Sequence, residues 1–370
     1  MKKILHMTPP EVSNGVYRYI FNHMPFIDQN KYQFSFLTKN AEELKETKEY
    51  EKYRFPVYKL NGVQRDGKEA FENEIRGILS NGFDAIHLHT SSWRGFLIEE
   101  VAMDMGISKV IVHSHSTGID FESKEERDRI YADHIRYKEA FSMKYATDVC
   151  ACSKLAADWL FSEKIPRDRI HIMPNAIDVR RFTYDSGVRF RTRKALGIDG
   201  RIVLGNVGRY SYTKNQDFLV DCFFDAYQIN KRLFLILIGQ GENIDRVKNH
   251  VKELGMENNI HCYGWKDNIS DYLQAMDVFC LPSKFEGLPI SVVEAQAAGM
   301  KCLVSDQVTK ELNISGNVKY IPLSRDNWVS AILEQDNCYS RVDVGEVLDQ
   351  AGYTIEASSR KLCSLYDGTL

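Results

Sequence analysis

The sequence lacks the features that mark secreted, membrane-spanning or strongly nucleic-acid-binding proteins. Its eight cysteines form no Cys-x-x-Cys pair and lie mostly inside apolar runs, so we expect reduced core thiols and neither a disulfide framework nor a metal site built on them. No apolar run approaches the roughly eighteen residues of a membrane span, and the opening MKKILHMTPP does not fit a signal peptide. A net charge of -3 disfavours bulk binding of nucleic acid. We therefore expect a cytoplasmic protein.

The length and the periodicity of the chain predict two domains. A chain of 370 residues exceeds one ordinary core and suits two domains of about 150 to 200 residues each. Short apolar runs alternate with longer helix-like segments, which is typical of parallel sheets in doubly wound α/β domains. The strand-like runs are, in chain order, KILHM, YQFSFL, PVYKL, DAIHLH, KVIVHSH, DVCAC, IHIMP, RIVLGNV, LFLILIG, IHCYG, DVFCLP, KCLVS and VKYIP.

The alternation is interrupted by a polar, turn-rich and locally basic stretch. We place the first domain at residues 1–178, a linker at 179–200 and the second domain at 201–352. The basic residues of this stretch predict either a solvated linker face or a patch that meets a phosphate or an anionic membrane surface. They are Arg180, Arg181, Arg189, Arg191, Arg193 and Lys194.

Open parallel sheets bind ligands where their strands end, so the loops after the strands carry the candidate sites. The loop after RIVLGNV reads GRYSYTKNQ and contains Arg209 and Lys214, while Thr213 or Asn215 can cap the helix that follows. Two cations beside a helix N-terminus favour an anion such as a diphosphate. An ordinary surface loop is the alternative.

The loop after LFLILIG contains a second glycine pattern. Gly239-x-Gly241 follows a strand, as in dinucleotide-binding loops, but the third glycine of that fingerprint would fall at Ile244 and is missing. The pattern therefore predicts either nucleotide binding or a simple tight turn.

The segment FEGLPISVVEAQAAG places a glutamate inside the apolar face of a predicted helix. Glu294 shares that face, and a carboxylate taken out of water needs a partner from the protein, a ligand or water. Glu286 precedes the helix, Pro289 suits its first position, and Gly299 is placed to end it. Two carboxylates at different heights suit a hydroxyl-rich ligand such as a ribose or a hexose. A structural glutamate bonded to backbone is the alternative.

Two His-x-His pairs stand at strand ends in the first half of the chain. Residues two apart in a strand share a face, so His87, His89, His113 and His115 could form a four-histidine metal site. No carboxylate sits at matching spacing. We therefore favour a single active-site histidine, with the others as core residues.

Three segments resemble glycosyltransferase family 4, the large group with the GT-B fold, and especially its bacterial capsule and exopolysaccharide members. They are GRYSYTKNQ, MPNAID and the run from IHCYGWKDN to EAQAAGMKCLVSD, which includes the Glu-x7-Glu pattern of Glu286 and Glu294. The resemblance implies two facing doubly wound domains, with residues 353–370 as a helix crossing back to the first. It also implies retaining transfer from a nucleotide sugar without cofactor or metal, and the chain contains no Asp-x-Asp triplet.

The same resemblance assigns roles to individual residues. Arg209 and Lys214 match donor-diphosphate ligands, Glu294 matches the ribose ligand, and Glu286 matches the residue that orients the sugar, together with Gly287, Leu288 and Pro289. Gly264, Trp265 and Lys266 match the base-contacting loop. In the first domain, His115 matches the histidine that approaches sugar and diphosphate, and Gly15 matches a phosphate-approaching glycine, although the family often has Gly-Gly where this chain has Asn14-Gly15. The catalytic candidates are Arg209, Lys214, His115 and Glu286.

The implied function is transfer of a hexose from a UDP-type donor to a saccharide acceptor. A lipid-linked oligosaccharide of capsule or exopolysaccharide synthesis is the expected acceptor, with peripheral contact at the inner face of the cell membrane. A nucleotide-sugar epimerase of the same fold, a glycosidase and an inactive nucleotide-sugar-binding subunit are the alternatives.

Overall fold

A computed structural model of the chain describes residues 1–12, 15–62, 67–336 and 340–370. The chain divides into two compact units, each with its own parallel sheet. The first unit comprises Met1–Ile119, Ser123–Asn175 and Ile355–Leu370, and the second comprises Asp120–Glu122 and Ala176–Thr354. The short segment Asp120–Glu122 thus belongs by its contacts to the second unit.

The first unit is built on a seven-stranded sheet whose neighbouring strands run parallel. Its strands are β1 (Lys2–Met7), β2 (Tyr32–Thr38), β3 (Val57–Lys59), β4 (Ala85–Thr90), β5 (Lys109–Ser114), β6 (Asp148–Ala151) and β7 (Ile170–Ile172). Their order is β3-β2-β1-β4-β5-β6-β7. The central strands place histidines side by side, because His6 on β1 stands opposite His87, and His89 on β4 stands opposite His113.

Helices connect these strands, and one more comes from the end of the chain. They are α1 (Gly15–His23), α2 (Ala41–Lys45), α3 (Lys48–Tyr53), α4 (Lys68–Leu79), α5 (Leu97–Asp104), α6 (Lys124–Ala140), α7 (Lys154–Leu160) and, from the C-terminal segment, α15 (Ile355–Asp367). Short 3-10 turns occupy Met24–Phe26 and Arg167–Arg169. The helix α15 belongs to this unit because its buried face, including Leu362, Leu365 and Tyr366, joins the core around β1 and α1.

The second unit is built on a six-stranded parallel sheet. Its strands are β8 (Ile202–Val207), β9 (Leu233–Ile238), β10 (Ile260–Tyr263), β11 (Val278–Leu281), β12 (Lys301–Ser305) and β13 (Val318–Ile321), in the order β10-β9-β8-β11-β12-β13. Strand order reverses between β8 and β11, which is where ligands bind in open α/β sheets.

The helices of the second unit follow the same alternation. They are α8 (Ser186–Leu196), α9 (Gln216–Ile229), α10 (Ile244–Glu253), α11 (Ile269–Ala275), α12 (Ile290–Ala297), α13 (Arg325–Leu333) and α14 (Gly345–Gln350), with 3-10 turns at Val179–Arg181 and Lys310–Leu312. The helix α9 illustrates the packing: Leu219, Cys222, Phe223 and Ala226 are buried at helical spacing against the sheet core.

The predicted fold class, two doubly wound α/β domains, is confirmed, and each of the thirteen strand-like runs contains a strand. The reason is that strands buried on both faces are continuously apolar and easy to distinguish from the amphipathic helices between them. The six residues Ile202–Val207, for example, are all buried.

The basic stretch at residues 179–200 carries more structure than its composition suggested. It contains α8 and belongs to the second unit. Arg189 and Arg193 do not join a surface patch, because both guanidinium groups bond to the buried carboxylate of Asp277, at 2.5 and 3.2 Å. The remaining basic residues of the stretch are exposed: Arg180, Arg181, Arg191 and Lys194.

The cysteines agree with the expectation of reduced thiols. The seven cysteines in the described part of the chain form no disulfide, and Cys338 lies outside it. Burial raises the pKa of several of these thiols, Cys222 to about 12 among them. Across the described ranges, no helix combines the length and the hydropathy needed to span a bilayer.

Glu99 on α5 gives a testable pH dependence of stability. Its side chain is 6% exposed, and desolvation by burial raises its pKa from 4.5 to about 7. The unfolded chain therefore loses this proton near pH 4.5 while the folded protein keeps it to about pH 7, so stability falls as the pH rises through this window. Glu99→Gln should raise the unfolding free energy by about 3 kcal/mol at pH 8 and have little effect at pH 4, as measured by urea denaturation.

The control is Glu100→Gln on the same helix, whose side chain is half-buried. It should change the unfolding free energy by no more than about 0.5 kcal/mol at pH 8. An equal gain from Glu99→Gln at both pH values would contradict the buried neutral carboxyl.

Candidate functional site

The loop at the carboxyl end of β8 holds the two predicted cations. The side chain of Lys214 lies over Gly208, so that a Cβ atom at that glycine would stand 3.2 Å from the lysine Cε. Asn215 occupies the N-cap of α9 in the left-handed region, with φ 58°. Such a conformation is uncommon for a residue other than glycine and is often found at functional sites.

The predicted capping bond of α9 is wrong. Asn215 makes no side-chain cap and instead donates from Nδ2 to the Pro282 carbonyl, 3.2 Å away, in the loop after β11. The Thr213 hydroxyl is buried and has no hydrogen-bond partner within the described residues. The Asn215 side chain thus ties the start of α9 to the loop after β11.

The glycine pair after β9 is explained by close packing of backbone. A Cβ atom at Gly239 would overlap the Gly208 carbonyl, and one at Gly241 would overlap the Tyr210 carbonyl. The Tyr210 N-H donates to the Gln240 carbonyl at 2.8 Å. Both glycines therefore allow the β9 loop to lie directly against the loop that carries Arg209, which favours the tight-turn interpretation.

The segment after β11 forms the helix that its sequence predicted. Pro289 stands at the N-cap of α12, and Gly299 ends the helix with φ 68°, its N-H donating to the Gln296 carbonyl at 2.8 Å. Glu294 is 2% exposed within this helix, and Gly287 and Leu288 are buried in the turn before it. The buried position of Glu294 agrees with the sequence analysis.

The loops after β8 and β11 are joined by an ion pair between two predicted site residues. The Lys214 Nζ atom lies 2.6 Å from Glu286 Oε1, and both side chains are largely buried, at 17% and 14% exposure. The Ser283 hydroxyl donates to the same carboxylate oxygen at 2.8 Å. A backbone bond from the Lys284 N-H to the Thr213 carbonyl, at 2.8 Å, fixes the two loops together.

The second cation, Arg209, pairs with Asp120, a carboxylate that belongs to none of the predicted site motifs. Its guanidinium bonds to Asp120, which also accepts from the Thr213 N-H at 2.9 Å. Burial opposes ionisation of Asp120, but Arg209 and the Thr213 N-H outweigh it, so the pKa of this carboxyl lies below its ordinary value. The sequence signal that could have identified Asp120 is its position five residues after His115, in a loop predicted at the end of a strand.

Both cations of the β8 loop therefore form ion pairs with carboxylates in this structure. A carboxylate and a phosphate oxygen are both acceptor-only anions, so Glu286 and Asp120 neutralise Lys214 and Arg209 in the way that an anionic ligand can. Helix α9 begins at Gln216 beside these groups and adds the partial positive charge of its N-terminus. Two cations and a helix N-terminus therefore lie together at the carboxyl end of β8.

The loop after β10 presents an aromatic side chain to solvent. Trp265 is 51% exposed, and its indole N-H donates to Asp267 at 3.2 Å. The Lys266 ammonium lies 5.0 Å from the centre of the Tyr263 ring. A Cβ atom at Gly264 would meet nothing within 4 Å, so the space directly beside this glycine is open.

Two predicted site residues lie in the first unit. Gly15 is exposed as the first residue of α1, and a Cβ atom there would meet nothing within 4 Å, while Asn14 lies outside the described residues. His115 follows β5 and is half-buried. Its ring nitrogen Nε2 lies 2.8 Å from Nδ1 of His89.

The His-x-His pairs belong to a larger cluster that includes His6, a residue absent from the sequence prediction. His6 Nδ1 lies 3.0 Å from His89 Nε2, and His87 Nε2 lies 3.1 Å from His113 Nδ1. His87 Nδ1 continues to the Tyr366 hydroxyl at 2.9 Å. Burial lowers the pKa of each imidazole, that of His6 and of His115 to about 3. The imidazoles are therefore neutral at physiological pH.

Nitrogen atoms of this cluster also lie within the reach of a metal ion. The atoms of His6, His87 and His89, and those of His89, His113 and His115, lie within 4.8 Å of one another. The short N···N distances between neighbouring rings are those of hydrogen bonds. The cluster can thus satisfy most of its own nitrogen atoms without a metal.

Two family models match the sequence. The model described as Glycosyltransferase Family 4 matches residues 13–181, and the one described as Glycosyl transferases group 1 matches residues 188–322. The two matches together span most of the chain.

Similar proteins are named as glycosyltransferases, and a similar crystal structure contains UDP and glucose. EpsF of Bacillus subtilis, named as a glycosyltransferase, is 27% identical over 377 residues, covering 99% of this chain and 96% of its own. The UDP-Gal:α-D-GlcNAc-diphosphoundecaprenol α-1,3-galactosyltransferase of Escherichia coli is 25% identical over 277 residues, covering 72% of this chain and 68% of its own. HepE of Anabaena, crystallised with UDP and glucose, has a TM-score of 0.76 at 15% identity, with 100% of each chain covered.

Proposed function

Because the chain belongs to glycosyltransferase family 4 and has the GT-B type of fold, we propose that it transfers a hexose from a UDP-type donor to a saccharide acceptor. The anomeric configuration is retained, and no metal ion takes part. The observation that carries this proposal is the joining of the loops after β8 and β11 by the Lys214–Glu286 pair, since these loops hold the predicted diphosphate and sugar ligands.

The donor is held by groups at the strand ends of the second unit. Arg209 and Lys214 bind the diphosphate, in exchange for the carboxylates of Asp120 and Glu286 that they contact in this structure. Glu286 is then released to accept hydroxyl groups of the sugar, with the backbone N-H groups near Gly287 and Leu288. Glu294 accepts from the ribose, and the exposed Trp265 beside Gly264 and Lys266 contacts the base.

The chemistry depends on stabilising the leaving group. The C1–O bond to the diphosphate breaks, and a new C1–O bond to the acceptor hydroxyl forms on the same face of the sugar. The hydroxyl proton passes to the departing diphosphate oxygen, which keeps atoms and charge in balance. Fixed cations stabilise the negative charge that develops on this oxygen, so Arg209 and Lys214 replace the metal that other transferases use.

His115 and Gly15 of the first unit are the further residues that we propose contact the nucleotide sugar. The acceptor is a lipid-linked saccharide, as in the name of the Escherichia coli relative, and synthesis of a capsule or exopolysaccharide is the corresponding process. Such an acceptor brings the protein to the inner face of the membrane as a peripheral partner.

A screen of nucleotide sugars tests the proposed function. Thermal unfolding is followed with UDP-, GDP- and ADP-sugars in the presence of EDTA, and a UDP-sugar should raise the melting temperature most. The stabilising donor is then incubated without acceptor. Slow release of UDP supports a transferase, whereas conversion to an epimeric sugar would support an isomerase, and stabilisation only in the absence of EDTA would contradict metal independence.

The two glutamates should have separable effects. Glu294→Gln should weaken donor and free UDP about equally, by roughly tenfold, because a ribose hydroxyl loses a charged acceptor. Glu286→Gln should leave UDP affinity within about threefold but lower turnover by on the order of tenfold to a hundredfold, because it reads the sugar. Calorimetry with UDP and donor hydrolysis rates measure both effects.

The control for this pair is Glu253→Gln, which removes an exposed carboxylate at the end of α10. It should leave both measurements unchanged. Identical UDP affinity and turnover in the wild type and both site variants would return the two glutamates to a structural role.

A further inference from the structure

A row of three imidazoles runs from His115 into the core of the first unit. His115 Nε2 lies 2.8 Å from His89 Nδ1, and His89 Nε2 lies 3.0 Å from His6 Nδ1. His89 is 8% exposed and His6 is fully buried, so the row leads from a strand end to the interior. Each ring is anchored on a different central strand or its end, namely β1, β4 and β5.

The nitrogen at the inner end of this row determines which ring nitrogen donates in each of its hydrogen bonds. A neutral imidazole has one N-H donor and one acceptor nitrogen, so the three rings must donate in the same direction. The inner end is His6 Nε2, which is buried and has no hydrogen-bond partner within the described residues. A buried N-H without an acceptor is rarer and more costly than an acceptor without a donor. His6 Nε2 therefore carries no proton.

The remaining assignments follow from that end. His6 Nδ1-H donates to His89 Nε2, and His89 Nδ1-H donates to His115 Nε2. The single proton of His115 then resides on Nδ1. In the described part of the chain, that atom makes no hydrogen bond to protein, so it is the nitrogen left for a ligand.

We propose that His89 and His6 are positioning residues that fix His115 as the neutral Nδ1-H tautomer, so that it presents a hydrogen-bond donor to an oxygen of the nucleotide-sugar donor. This inference rests on the proposed role of His115 in donor binding. The chemical consequence is that His115 offers one fixed N-H group for a hydrogen bond to a sugar hydroxyl or a phosphate oxygen. A charged imidazolium there would instead bury its charge within a cluster of other rings.

The spacing of the rings favours this arrangement over a shared metal ion. Two nitrogen ligands of one tetrahedral zinc stand about 3.3 Å apart, given zinc to nitrogen distances of about 2.0 to 2.1 Å. The distances of 2.8 and 3.0 Å along the row are shorter and match N-H···N hydrogen bonds. Aromatic rings of Phe34 and Tyr19 also pack against the rings of His6 and His115.

A double-mutant cycle tests the positioning role. His115→Ala should lower kcat/KM for the donor by on the order of a hundredfold, and His89→Leu by about tenfold. In the His115→Ala background, His89→Leu should cause less than a twofold further loss, because its effect passes through the missing ring. His89→Asn, whose amide N-H can occupy the position of Nδ1-H, should recover at least half of the lost activity.

His134→Leu is the matched control. His134 is also fully buried in the first unit, but it bonds to the Trp93 N-H and the Trp159 carbonyl and lies outside the row. Its effect on kcat/KM should be equal in the wild-type and His115→Ala backgrounds. If the effect of His89→Leu is likewise equal in both backgrounds, the positioning role is overturned.

A spectroscopic measurement tests the tautomer without any substrate. In protein labelled with ¹⁵N-histidine, long-range ¹H–¹⁵N correlation distinguishes protonated from bare ring nitrogens, and His115→Ala assigns the His115 signals. We expect the proton on Nδ1 in the wild type and a mixture of tautomers in His89→Leu.

The two levels of the proposal fail separately. A proton on Nε2 of His115 in the wild type would overturn the proposed positioning by His89 and His6, whatever the kinetics show. If His115→Ala left the rate of sugar transfer unchanged, the proposed contact of His115 with the nucleotide sugar would be wrong. The tautomer measurement would still decide whether the row fixes the tautomer of His115.

Discussion

Replacing Lys214 by alanine should lower the turnover of the nucleotide sugar by about a hundredfold or more, and Arg209→Ala should have a similar effect. Each cation stabilises charge that appears on the diphosphate oxygen only as the C1–O bond breaks, and loss of one such group costs about 3 kcal/mol of transition-state stabilisation. Each change also leaves an unbalanced carboxylate, Glu286 or Asp120, close to the anionic donor. Single-turnover transfer and donor affinity should be measured separately, since the larger loss is expected in turnover.

Charge-conserving and remote variants separate this effect from general changes. Lys214→Arg and Arg209→Lys keep the positive charge and should retain more activity than the alanine variants, although the altered geometry prevents full activity. Lys231→Ala removes an exposed cation just after α9, before β9, at the opposite edge of the sheet, and should leave turnover unchanged. Turnover within threefold of wild type in both Lys214→Ala and Arg209→Ala would refute the proposed catalytic role.

Asp277→Ala should destabilise the second unit by about 3 to 5 kcal/mol. Asp277 is 2% exposed, and its carboxylate bonds to Arg189 and Arg193 and accepts from the Val203 N-H at 2.7 Å. Arg193 is itself only 7% exposed, so removing its counter-ion leaves a charge in the interior. The hydrogen bonds that remain to it go to carbonyl oxygens, among them those of Ala275 and Arg201. Breaking a buried pair on one side has a cost of this order.

An exposed ion pair in the same unit provides the comparison. Asp225 pairs with Arg325 at the surface, where both side chains are at least 36% exposed. Asp225→Ala should therefore change the unfolding free energy by less than about 1 kcal/mol. Urea denaturation of the two variants, followed by circular dichroism, measures the difference. Equal destabilisation by the two changes would show that burial of Asp277 and Arg193 does not govern their contribution.

The candidate site is predictable from the sequence to different degrees. The loops after β8 and β11 were identifiable because strand ends of parallel sheets carry ligand sites, and their cations and carboxylates stand out in short motifs. The direct bond between Lys214 and Glu286 was not, since the two residues lie far apart in the chain and meet only through the pairing of β8 with β11. The purpose of Gly239 and Gly241 was ambiguous for the same reason, because backbone contact with a neighbouring loop leaves no local signature.

The missed residues share a physical cause. His6 sits in an ordinary strand pattern, and only the register of β1 against β4 brings it beside His87 and His89. Arg193 reads as one more member of a basic stretch, whereas a buried Asp277 on another segment makes it an internal ion-pair partner. In both cases the role of a polar side chain is set by a partner distant in sequence.

The sequence by itself determined the two parallel-sheet domains, the positions of the thirteen strands in the described residues, the resemblance to a glycosyltransferase family and the loops that carry polar residues. These features depend on local periodicity, on turn chemistry and on short motifs, all of which are readable within a few residues. The tertiary structure alone decided which charges neutralise each other, which arginines are internal, and how a row of neutral imidazoles ends at His115. Those outcomes depend on burial and on contacts between segments distant in the chain, because desolvation determines whether a polar group stays charged and which partner it needs.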